Sequence, residues 1–154
     1  MRQIPTSLLA LFCAAAVFPP VIAAAQQTNS GNAPANPLAA SRVFAYDDMA
    51  PRTAPNGSIS RKVFTGTLTT GEAIGVHETM QPKGMVPNPA HRIEHSELIV
   101  VEEGTLEFMH DGKTERADAG SIIYVAFGTL HQVKNVGDGE AKYLVIQIGG
   151  DTKK

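Results

Sequence analysis

The sequence has no tryptophan and a single cysteine, Cys13, among 154 residues. One cysteine makes no internal disulfide and no cysteine-based zinc cluster, so neither staples the fold. Charge is sparse: 13 Lys and Arg stand against 15 Asp and Glu, a net of −2. No basic stripe is visible, which excludes the footprint that a phosphate backbone requires. The apolar run Leu8–Val17 is too short to span a bilayer as a helix. No helical period is sustained downstream, and that argues against a helical bundle. Glycine and proline are well supplied, with 14 and 10 residues. That load favours a turn-rich β architecture.

The first residues read as a leader. Arg2 supplies a positive start, the apolar run follows, Pro19 and Pro20 interrupt it, and Ala23-Ala24-Ala25 offers small residues for cleavage. Residues 1–25 are therefore expected to be a secretory signal peptide cut after Ala25, which directs the chain to the periplasm or the exterior. An uncleaved anchor is disfavoured by the length of the run. Cleavage removes Cys13 and Arg2, leaving 12 basic against 15 acidic residues, or −3, and a chain with no membrane attachment. Residues 26–41 are rich in Gln, Asn, Ala, Pro and Ser and read as a flexible linker. Residues 42–150 form one folded domain. Its first part, from Arg42 to Ser58, is expected to wrap the rest as an irregular arm anchored by Val43, Phe44 and Tyr46.

From Ile59 the pattern is strand, turn, strand. Ile59–Thr69 and Ala73–Met80 flank Gly71, and a proline-rich loop runs from Gln81 to Ala90. Leu98–Val101 reads as a buried strand. Thr105–His110 and Lys113–Ala117 flank Asp111-Gly112, a strong hairpin signal. Ser121–Val125, His131–Val136 and Ala141–Ile148 complete the series. Short strands with turns between them predict an all-β sandwich or barrel.

The chemistry-bearing residues lie in two segments. The first runs from Gly84 through His91, Ile93, His95 and Glu97 to Gly104; the second runs from Gly120 through Gly128 and His131 to Asn135. Imidazole nitrogen and carboxylate oxygen suit first-row divalent metals. Residues two apart on a strand share a face, so His91, Ile93, His95 and Glu97 align if that stretch stays extended. The sequence alone does not bring His131 to them. His77 is read as a solvent-facing strand histidine in the absence of a known register. His110, beside the Asp111-Gly112 turn, is expected to be exposed.

Both segments resemble the two motifs of the cupin superfamily. The second keeps Gly120, Gly128, His131 and Asn135 at the family spacing, with Ser121 in place of Asp and Ala126 in place of Pro. The first keeps His91, Glu97 and Gly104, with one extra residue between Gly84 and His91. The resemblance covers about residues 60–149, with a motif core over about 84–135. It implies a single-domain jelly-roll β-barrel, the double-stranded β-helix, with a divalent metal (Mn, Fe, Ni or Zn) on His91, Glu97 and His131. Ile93 stands where cupins usually place a second histidine. His95, two residues from both Ile93 and Glu97, is the candidate to replace it, as a metal ligand or as an acid/base at the metal.

Two functions are compatible with this pattern. One is an exported metal-dependent enzyme acting on a small organic substrate, by dioxygenase-, isomerase- or lyase-type chemistry. The other is a non-catalytic small-molecule-binding cupin whose metal site has degenerated at Ile93. A structural role in a periplasmic assembly is a weaker third reading. The resemblance, and a small domain without a disulfide, also imply a homodimer.

Overall fold

Apolar side chains at every second position leave each strand one face to bury, and two facing sheets bury them together. The computed structural model describes residues 35–153. The leader and most of the linker expected at residues 26–41 lie outside the described residues. Ten strands follow: β1 (Pro51–Thr53), β2 (Ile59–Thr67), β3 (Ala73–Gln81), β4 (His91–Arg92), β5 (Ser96–Glu103), β6 (Thr105–His110), β7 (Lys113–Asp118), β8 (Ile122–Val125), β9 (Leu130–Asn135) and β10 (Ala141–Ile148). Two 3-10 turns, Tyr46–Asp48 and Gly150–Lys153, are the helical elements among the described residues. No helix among them is long and apolar enough to cross a membrane.

The larger sheet has the order β1-β2-β3-β10-β5-β8 and the smaller one β4-β9-β6-β7. Every pairing is antiparallel. The expected all-β jelly-roll class is what the chain adopts. Alternation decides which residues enter the core. Ile99 and Val101 of β5, Leu106 and Phe108 of β6, Ile123 and Val125 of β8, and Tyr143 and Val145 of β10 all point between the sheets. Each such side chain contributes about 1.5–3 kcal/mol by leaving water.

The β6–β7 hairpin turns on Asp111 and Gly112, both at positive φ (46° and 75°), as a type I′ turn requires. Gly104 also has positive φ (77°), and a Cβ there would stand 2.5 Å from the Glu140 carbonyl oxygen. The glycine thus lets the β5–β6 turn close on the start of β10. A buried polar tie joins the sheets. Asn135 Nδ2 donates to the Gln81 carbonyl (2.8 Å), and Gln81 Nε2 donates to the Tyr143 hydroxyl (2.9 Å).

Two strands were not expected. β1 begins at Pro51 and lies at a sheet edge, where the missing N–H costs no ladder bond. β4 is a two-residue strand that directly follows the proline-rich loop. The linker also ends earlier than composition suggests. Asn36 Nδ2 donates to the Thr67 carbonyl (2.7 Å), and its Oδ1 accepts from the Thr67 N–H (3.2 Å). The amide side chain thereby serves as a strand partner at the end of β2. The arm lies along β2 through two of its three expected anchors: Phe44 packs on Phe64 with ring centroids 4.7 Å apart, and Arg61 stands over the Tyr46 ring at 5.0 Å, whereas Val43 is exposed.

Candidate functional site in the barrel interior

The condition for aligning His91, Ile93, His95 and Glu97 on one strand is not met. His91 and Arg92 pair with β9 in the smaller sheet, whereas β5 starts at Ser96 in the larger one. Residues 93–95 carry the chain from one sheet to the other. The four side chains nevertheless line one cavity of about 250 Å³, together with His131. Strand register brings His131 there, since it pairs directly with His91 across β4 and β9. Their rings lie 4.6 Å apart, and His131 is almost fully buried.

Glu97 sits at the centre of the cluster. Its Oε1 is 2.8 Å from His95 Nε2, and its Oε2 is 3.9 Å from His131 Nε2. Gln147, the cross-strand partner of Glu97 on β10, directs its Nε2 to the same Oε1 at 3.4 Å. His95 also meets a second carboxylate, Asp151 Oδ1, through Nδ1 at 2.5 Å. Asp151 enters from the 3-10 turn after β10. Gly150 makes that approach possible: a Cβ there would stand 1.7 Å from the Glu94 carbonyl oxygen.

The three histidines share one arrangement. Each places Nδ1 against an oxygen: Pro89 carbonyl for His91 (3.3 Å), Asp151 carboxylate for His95 (2.5 Å) and Thr129 carbonyl for His131 (3.2 Å). A proton donated from Nδ1 fixes the tautomer and presents Nε2 as the remaining nitrogen, which at His95 already meets Glu97 Oε1. Burial opposes a charge on His95, but its hydrogen bonds to Glu97 and Asp151 outweigh it and raise the imidazole above its ordinary value. Burial lowers His131, with the Thr129 carbonyl partly offsetting it. Burial also pushes the Tyr143 hydroxyl up to about 12, so it stays protonated at neutral pH.

Among the described residues, no group of three or more His, Cys, Asp or Glu side chains is arranged to hold a metal ion as it stands. The donor chemistry nonetheless fits a divalent cation. His91, His95, Glu97 and His131 would hold it, and the oxygens that meet the three Nδ1 atoms would orient the imidazoles. Ile93, where a fourth donor would stand in the family pattern, is buried in the apolar core beside the cluster.

Two readings of the histidines need correction. His77 is not solvent-facing: it pairs with buried Val145, lines the cavity, and is held below its ordinary value by burial. His110 is half-buried, stacked on Phe108 at 4.7 Å and within 3.1 Å of Glu115. Asp151 and Gln147 were missed altogether. The one signal for Asp151 is the Gly149-Gly150 pair before it, which marks close backbone approach.

Residues 76–147 match the cupin domain family model. The fold is that of a cupin. An RmlC-like cupin with a double-stranded β-helix fold from Methanocaldococcus jannaschii superposes with a TM-score of 0.54 at 14% identity, covering 68% of this chain and 92% of that one. A cupin-superfamily sugar phosphate isomerase from Silicibacter pomeroyi gives 0.56 at 20% identity, over 69% and 74%. A predicted oxalate decarboxylase from Thermotoga maritima gives 0.53 at 17% identity, over 70% and 98%. No curated protein matches the chain by sequence. The domain match and these neighbours support a cupin-type fold, inside which this cluster is the candidate site.

Proposed function

We propose that this cupin binds a divalent metal (Mn, Fe, Ni or Zn) through His91, His95, Glu97 and His131, and acts there as an enzyme on a small organic substrate. The observation that carries the reading is the common orientation of the three histidines, each with Nδ1 on an oxygen, and the approach of the Nε2 atoms of His95 and His131 to the Glu97 carboxylate. When bound, the metal supplies Lewis-acid polarisation of a substrate oxygen, or a site for dioxygen in the case of iron. The chain's own residues do the rest. Gln147 and the protonated Tyr143 line the cavity as polar contacts, and half-buried His77 stays neutral beside them. His95, held by Asp151, is the residue placed to pass a proton at Nε2 when it is not a ligand.

Metal analysis of the purified mature protein after loading with each of the four metals tests this. Stoichiometric metal that is lost in His131→Ala is expected. Absence of metal in every case, with no effect of His131→Ala, overturns the reading.

Buried Ile93 favours the second reading, a non-catalytic binder of small molecules with a degenerate metal site. A ligand-induced rise in melting temperature that survives chelation selects it. Export after cleavage at Ala25 and a homodimer in solution belong to the same proposal. N-terminal sequencing of the secreted protein and light scattering check them, and an intact leader or a monomeric mass removes them.

A further inference from the structure

A second cavity, of about 260 Å³, adjoins the first and shares His77 and Gln147 with it. Its remaining polar lining includes Arg52, Ser60, Lys62 and Thr65, and no carboxylate. Register explains how two cations reach the concave face. Lys62 of β2 pairs with His77 of β3, and Ser60 pairs with Thr79, so these side chains share the inner face. Arg52 of β1 pairs with Ser60 and is therefore diagonal to Lys62 on the same face. The register shift after Lys62 ends this alternation at Phe64.

The outer face of the same strands provides a contrast. Arg61 lies 3.8 Å from Glu78, and Lys142 lies 3.1 Å from it and 3.7 Å from Glu102. Outward cations are thus matched by carboxylates. Arg52 and Lys62 have no ion pair among the described residues. The one carboxylate lining the first cavity is Glu97, which is already engaged by His95.

We propose that Arg52 and Lys62 form an anion subsite, and that the substrate is a small organic anion whose carboxylate or phosphate is held there while its other end reaches the His91/His95/Glu97/His131 cluster. The inference rests on the reading of that cluster as the reaction centre. Two cations on adjacent strands grip one anionic group by charge-assisted hydrogen bonds. Thr65, His77 and Gln147 line the path between the two ends and suit a hydroxyl-bearing body. Lys62 on β2 and Glu97 on β5 are three strand spacings apart, roughly 14 Å along the sheet. A substrate spanning that path is larger than a two-carbon acid, since the Lys62 and Arg52 side chains close only part of the distance.

The test uses the full mature chain and four probes built on one hexose: glucuronate, glucose 6-phosphate, glucose and glucosamine. Binding is measured by calorimetry for the wild type and the R52Q/K62Q double variant, and zinc binding is measured on both. The wild type is expected to bind the carboxylate or the phosphate probe more tightly than the neutral and cationic ones, weakening with salt. Which of the two anions binds better identifies the headgroup. The double variant is expected to lose about tenfold or more in affinity for that anion, with neutral-probe and zinc binding unchanged. Equal anion affinity in the two proteins overturns the proposal, as does a wild type that binds no anionic probe or prefers the neutral sugar. If zinc binds normally while anions do not discriminate, the subsite fails and the metal reading stands. If no metal binds but the double variant loses the anion, the metal reading fails and the subsite stands.

Discussion

Replacing Gly150 by alanine tests how tightly the segment after β10 is closed against the site. A Cβ at Gly150 would lie 1.7 Å from the Glu94 carbonyl oxygen, 2.7 Å from the Glu94 carbonyl carbon and 3.0 Å from His95 Cα. All three are backbone atoms, so nothing can rotate aside. The turn must lift by roughly 1.5 Å or more to restore ordinary carbon–oxygen contact. Two hydrogen bonds then break: Asp151 N–H to the Glu94 carbonyl (3.0 Å), and His95 Nδ1 to Asp151 Oδ1 (2.5 Å). The backbone bond is worth about 1 kcal/mol; the charged one, with Asp151 a third exposed, is counted at about 1 kcal/mol as well. Left-handed φ adds about 1–2 kcal/mol for any residue with a Cβ.

The expected loss for Gly150→Ala is therefore about 3–4 kcal/mol. Gly149 is the control. Its φ is also positive (72°), but a Cβ there meets nothing within 4 Å. Gly149→Ala should cost only the conformational part, about 1–2 kcal/mol. Thermal melts should separate the two variants by roughly 6–10 °C, Gly150→Ala being the lower. The nitrogen NMR signals of His95 should move in Gly150→Ala and stay in Gly149→Ala. Equal melting temperatures, or an unchanged His95 in both, would refute the closed-turn account.

Other outcomes follow from the same contacts. Ile93→His should lower the stability of the metal-free protein by about 1–3 kcal/mol, because it buries a polar ring in the apolar core. It should tighten metal binding by about tenfold or more, and a metal titration showing no gain would count against the ligand set. Burial holds the His77 value below 6.5, so the unfolded chain binds the extra proton and stability falls as pH drops below 6.5. His77→Gln should flatten denaturation midpoints between pH 6.5 and 5 by at most about 1.4 kcal/mol per pH unit, while His131, shifted the same way, keeps part of the slope. An unchanged slope would place His77 in contact with water. Leu106→Ala, at a fully buried position, should cost about 2–5 kcal/mol in a urea titration with the fold retained.

The strand pattern was readable because one buried face per strand imposes a period of two, as in Leu106 and Phe108 or Tyr143 and Val145. The hairpin was readable because Asp111-Gly112 tolerates the two left-handed residues its turn demands. His91, His95, Glu97 and His131 do line one cavity, but for a reason the sequence conceals. The chain changes sheets between Arg92 and Ser96, so their convergence comes from β4–β9 pairing and not from a shared strand face. His77 was misread because its face depends on a β3–β10 register that no local pattern sets. Asp151 was invisible for a similar reason, since it reaches His95 through a backbone approach between segments 56 residues apart. Lys62 looks like any strand lysine until pairing with His77 puts it on the concave side.

The brevity of β4 has a kinetic consequence. His91 is held on a strand of two residues at the edge of the smaller sheet, and its side chain is exposed. His131, Glu97 and His95 belong to buried structure whose release requires opening a sheet or the turn after β10. Local opening of β4 frees one donor while the other three keep their places. Hydrogen exchange should show the Arg92 amide opening well before those of β5 and β9. A metal held as proposed would then exchange by unlatching His91, at a rate set by the β4–β9 pairs and the Arg92–Gly128 and Gly128–Ile93 contacts that pin the strand, and not by the stability of the whole barrel.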